Sequence, residues 1–150
     1  QVDTVLKRLH EVASIREKEL NEDTLIYNAN MTEMKPEVGH QLPIEMYREG
    51  YEYYVETHFH PNSHSCFLQR NLMDLMVYDP VQFMYLLDQP LLMMVGDHAD
   101  TNYMSEQAFE LAITTKEKEL YYLKDATHIQ TYYKESVVKE AIEKLDIFYK

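Results

Sequence analysis

Residues 90–128, PLLMMVGDHADTNYMSEQAFELAITTKEKELYYLKDATH, leave few arrangements open to this chain. Leu91 to Val95 is a short apolar run bounded by Pro90 and Gly96, the length and content of a strand covered on both faces, as in a parallel sheet. Ser105 can cap a helix running to about Ile113, with Ala108, Leu111 and Ala112 as its inward face. Beyond the charged turn Lys116 to Lys118, Glu119 to Leu123 forms a second strand. Strands joined through a helix run parallel, so both end at one edge. The loops Gly96-Asp97-His98-Ala99-Asp100 and Asp125-Ala126-Thr127-His128 share that edge, where ligands and catalytic side chains of open α/β sheets gather. A carboxylate and an imidazole are expected to face each other there.

VGDHADTNYMSEQAFELA followed by KELYYLKDATHIQTYY resembles the C-terminal part of α/β-hydrolases, in the dienelactone-hydrolase-like branch of bacterial serine hydrolases. The family pattern is a strand, Gly-Ser-x-Ala-Asp-Thr, a Ser-Glu helix, Lys-Glu-Leu opening the last strand, and Gly-Ala-Thr-His before a Tyr. Glu49-Gly50-Tyr51-Glu52-Tyr53-Tyr54 and His60-Pro61-Asn62-Ser63 are similar to its upstream segment, so the resemblance extends over residues 47–150. It implies Asp100 as triad acid and His128 as general base, a small ester or related acyl substrate, and no metal or organic cofactor. Two positions depart from the pattern. Asp97 replaces a small polar residue and is the fallback acid, while Asp125 replaces a glycine and is expected to shape its turn through side-chain hydrogen bonding. His98 lies too near Asp100 in the chain to displace His128 as the base.

The nucleophile of this superfamily sits in a Gly-x-Ser-x-Gly elbow, where glycines permit a strained turn and backbone N–H groups stabilise the oxyanion. The glycines are Gly39, Gly50 and Gly96, and none flanks a serine at that spacing. Neither Cys66 nor Ser14, Ser63, Ser65, Ser105 or Ser136 sits in such a turn. Because these enzymes run serine, acid, histidine along the chain, the expected fold class is α/β: the C-terminal portion of an α/β-hydrolase fold, with its last two parallel strands, flanking helices and an incomplete sheet. Residues 1–89 are then a helical, cap-like connecting region and residues 90–150 a strand-helix-strand-helix unit. The nucleophile and oxyanion hole are expected in a missing N-terminal part, and this chain alone is expected to be inactive. That missing half, or a homo-oligomer partner, should complete the sheet, since bare strand edges invite pairing.

Helical periodicity dominates the remainder. Val2, Val5, Leu6, Leu9, Val12 and Ala13 mark a helix to about Asn21, and 22–43 form a long loop of the kind that serves as a lid. Ile44, Tyr47, Tyr51 and Tyr54 share one side of a second helix, either a packing face or a pocket lining. Leu68, Leu72, Leu75 and Met76 suggest a third, and Asp79-Pro80 a cap for Val81 to Leu87. A last helix, Glu135 to Tyr149, should bury Val138, Ala141, Ile142, Leu145 and Phe148 against the sheet.

A net charge of −12 argues against a nucleic-acid partner, which requires clustered Lys and Arg. No apolar run has bilayer length and a single cysteine forms no internal disulfide, both in keeping with a cytoplasmic protein and no membrane partner. Two other functions compete with hydrolysis. One is a non-catalytic interaction domain. The other is a metal-binding module built on His58, His60, His64 and Cys66, which are suitable ligand types at a spacing unlike a standard zinc finger.

Overall fold

A computed structural model describes residues 2–150. Helix α1, Val2–Glu22, follows the apolar period at its N-terminal end, yet Val12 and Glu19 are its only buried residues. Its far end is tied down by polar contacts. Glu19 Oε1 accepts a hydrogen bond from the Ile26 backbone N–H at 2.8 Å, and Glu19 Oε2 faces the Arg70 guanidinium at 3.5 Å. Arg16 donates to the Arg70 carbonyl and to Asp74, both at 3.2 Å, so α1 is stapled to residues 69–77. The chain reverses after α1 at Asp23, whose φ of 47° is the left-handed conformation that ends many helices.

Within the expected loop, Met31–Glu33 makes a 3₁₀ turn and Pro36–Gly39 a short helix, α2. Helix α3, Glu45–Tyr51, runs directly into a π-helical segment, Glu52–Thr57. The expected tyrosine face is not a shared one. Tyr51 is 1% exposed and lies over Gly39, whereas Tyr47 and Tyr54 are exposed. Helix α4, Leu72–Val77, precedes a 3₁₀ stretch, Pro80–Leu86, begun by Asp79 accepting from the Val81 N–H at 3.1 Å.

Strand β1, Leu91–Gly96, leads to α5, Asn102–Leu111; strand β2, Lys118–Leu123, is followed by α6, Gln130–Tyr133, and α7, Glu135–Phe148. The strands pair in parallel with Leu91 opposite Lys118 and Gly96 opposite Leu123. Leu123, Ala126 and Val137 form the core beneath them, joined by Met94, Tyr121 and Ala141. Two inward faces differ from the periodicity. Ala108 and Ala112 are buried but Leu111 is exposed, and Ser105 lies inside α5, which starts after Thr101. On α7 the buried residue is Val137, and Ile142 is exposed. Polar tethers set this rotation: Tyr121 donates to Glu140 at 2.9 Å, and Lys144, 4.9 Å above the Tyr121 ring, reaches Glu119.

The fold class differs from the expectation. The chain is 57% helical and, among the described residues, has one two-stranded parallel sheet, not the C-terminal portion of an α/β-hydrolase fold. The expected unit belongs within a wider α/β sheet, whereas among the described residues β1 and β2 pair only with each other and helices dominate; residues 2–89 add one antiparallel bridge, Tyr27 with Leu68. No helix among the described residues is long and apolar enough to cross a membrane. Much surface remains uncovered: 10955 Å² is exposed, against about 8,000 Å² for a compact monomer of this mass.

Candidate functional site

The loops leaving β1 and β2 continue to pair after the strands end. Asp97 N–H donates to the Leu123 carbonyl and His98 N–H to the Ala126 carbonyl, each at 3.0 Å. This close approach requires Gly96, because a Cβ there would overlap the Ala126 carbonyl oxygen and lie 2.9 Å from its carbon. Asp97 closes the junction from its side chain, accepting the Ala126 N–H at 3.1 Å. It is therefore Asp97 that shapes the turn. Asp125 adopts φ 51°, and its carbonyl accepts from Lys134 at 2.6 Å.

The Ala126 N–H bond, with further help from the Asp125 and His98 backbone and the His98 charge, holds the Asp97 carboxyl below its ordinary 3.8 despite partial burial. A carboxyl with a depressed folded pKa contributes stability that is fully present above its unfolded value and is lost as pH falls through the folded value. Asp97→Asn is thus expected to flatten the fall in urea midpoint below about pH 4. A variant that follows the wild-type acid limb would mean the Asp97 carboxylate carries none of it.

Asp100 and His128 are brought to the same edge but are not bonded to each other. Asp100 Oδ2 accepts the Met46 N–H at 3.3 Å, serving the start of α3, where Ile44 provides no capping side chain. His128 is held by two hydroxyls, Thr101 Oγ1 at 3.0 Å from Nδ1 and Tyr132 Oη at 2.7 Å from Nε2. The backbone beneath it is fixed by a reciprocal pair of the capping-box kind: Gln130 N–H donates to Thr127 Oγ1 and Thr127 N–H to Gln130 Oε1, both at 3.3 Å. Burial beside Tyr54 and Tyr53 holds the Tyr132 phenol above its ordinary pKa, so it stays protonated.

Thr101 and Tyr132 are site residues that the sequence reading missed. Tyr132 stands four residues after His128, one helical turn, which was the available signal; Thr101 had only its place beside Asp100. Nearby on α3, Glu49 has a buried Oε2 with no hydrogen-bond partner among the described residues.

The proposed metal ligands do not converge. His58 Nδ1 meets Thr57 at 2.8 Å, His60 Nδ1 accepts from the Asn62 N–H at 3.1 Å, and the exposed Cys66 donates to the Asn28 carbonyl. Among the described residues, Asp97, His98 and Asp125 are the trio whose ligand atoms come within 4.8 Å of one another. Asp97 is already committed there to the Ala126 N–H.

No family model matches the chain, and no curated protein does. The crystal structure of hypothetical protein PA2218 from Pseudomonas aeruginosa is similar, with a TM-score of 0.75 at 20% identity over 97% of this chain and 45% of that one. This chain thus spans less than half the length of that protein, and the likeness is one of fold alone.

Proposed function

We propose that this chain supplies the base side of an acyl-hydrolase site in a cytoplasmic protein. A polypeptide outside residues 1–150, from the same protein or another, carries the serine and the oxyanion hole. The observation that supports this is the 3.0 Å contact between His128 Nδ1 and Thr101, the residue after Asp100, at the shared end of two parallel strands. It joins the histidine loop to the acid loop at the C-terminal ends of both strands. The exposed surface beyond that of a compact monomer suits a completing polypeptide.

In this reaction the serine oxygen forms a bond to the ester carbonyl carbon while its proton passes to His128 Nε2. The imidazolium then protonates the leaving alkoxide, and water releases the acyl group by the same route. Thr101 orients the ring through its contact with Nδ1. The substrate is a small ester or related acyl compound.

Fluorophosphonate treatment of the complete protein or complex should add one adduct to a serine outside residues 1–150, detected by intact mass and peptide mapping. The 150-residue chain alone should remain unlabelled. A folded complete protein that takes up no probe would overturn the proposal in favour of a non-catalytic interaction domain. That second reading draws on one observation, the bonding of Asp100 to Met46 instead of to His128.

A further inference from the structure

Acyl hydrolysis needs a hydroxyl proton delivered to His128 Nε2, and that nitrogen already meets a hydroxyl. Tyr132 Oη lies 2.7 Å away, and its ring stands edge-on to the imidazole with centroids 5.5 Å apart. With Thr101 on Nδ1, neither ring nitrogen is left for an incoming group. The far side of Tyr132 leans on Tyr53 at 5.8 Å, and Tyr53 is itself stacked on His58 at 4.5 Å and on Tyr133 at 5.4 Å. Tyr53 belongs to the π-helical segment, a rare backbone form that is frequent at functional sites. Tyr132 is nonetheless 44% exposed, and an open groove lined by Tyr132, Tyr133, Val138 and Ile142 lies beside it. The ring has space to turn away.

We propose that Tyr132 is a latch on His128: its hydroxyl fills the position that the serine hydroxyl must take, and the site becomes competent when the Tyr132 ring turns out toward the α7 groove. This rests on the hydrolase proposal and adds its regulation. In the latched state His128 is kept in place by Thr101 and Tyr132 together. On release, Thr101 keeps Nδ1 while Nε2 becomes the accepting face.

The latch can be tested on the complete protein or complex, because it predicts the reactivity of one nitrogen. Diethyl pyrocarbonate transfers its ethoxycarbonyl group to an unprotonated imidazole nitrogen, forming an N–C bond and releasing carbon dioxide and ethanol. Rates at individual histidines are read by peptide mass spectrometry above the imidazole titration range. His128 should react about fivefold slower than the exposed His10, as one net hydrogen bond would impose, and Tyr132→Phe should bring it close to the His10 rate. Tyr53→Leu, which removes the ring behind the latch, should also speed His128, and it decides the matter if Tyr132→Phe does not fold by circular dichroism. Equal rates at His128 and His10 in the wild type, or no acceleration in either folded variant, would overturn the latch. A slow His128 with no serine labelled by fluorophosphonate would retire the hydrolase proposal and the latch with it. A fast His128 beside a labelled serine would retire the latch alone.

Discussion

Replacing His128 with alanine should lower the acylation rate of the complete protein by about ten-thousandfold or more, the scale on which serine hydrolases lose turnover when the base is removed. Without an imidazole the serine keeps its proton, and only binding and oxyanion stabilisation persist. The fold should tolerate the change, since His128 is half-buried and the Thr127–Gln130 pair that fixes its backbone is untouched. Asp100→Asn should cost less. Its carboxylate is bonded to the Met46 N–H, so Thr101 remains on Nδ1 when the charge is lost. The two variants are compared by pseudo-first-order fluorophosphonate labelling. If His128→Ala labels at the wild-type rate, the histidine has no part in activating the nucleophile.

Gly96→Ala should destabilise the chain by about 3 kcal/mol, at or beyond the usual upper range for overpacking. The added methyl would meet the Ala126 carbonyl and come within 3.0 Å of the Thr127 carbonyl oxygen. These are main-chain atoms that no rotamer change can withdraw. The loops must separate instead, endangering the His98 N–H bond to Ala126 and the Asp97 bond to the Ala126 N–H. A urea unfolding midpoint shows the size of the loss. A midpoint within error of the wild type would mean that the loops approach less closely than the structure has them.

Local elements were legible where a residue dictates backbone geometry. Pro90 and Gly96 bracket β1, and β2 follows its charged turn, because short apolar runs between breakers leave little freedom. Faces were less legible. The α7 stripe reads correctly as amphipathic, but its rotation is set by Tyr121, Glu140 and Lys144 acting across the helix-strand contact, which no period within one helix encodes. The turn-shaping role went to Asp125 instead of Asp97 for a similar reason, since only the approach of the two loops decides which side chain reaches the Ala126 N–H. The fold class was misjudged because the resemblance made the two strands part of a larger α/β sheet, while the chain is mostly helical with a small two-stranded sheet. At the site, the sequence brought Asp100 and His128 to one edge. It did not reveal that Met46 would claim the first, or that Thr101 and Tyr132 would claim the second.

The pairing of β1 with β2 also governs the order of assembly. Thr101 and His128 are 27 residues apart, so their contact requires a sizeable loop to close, an entropic cost recovered only as the crossover packs and the strands register. A chain in which the strands have parted still contains Thr101 and His128, yet nothing holds the two together. The orientation of His128 is therefore conditional on an intact sheet.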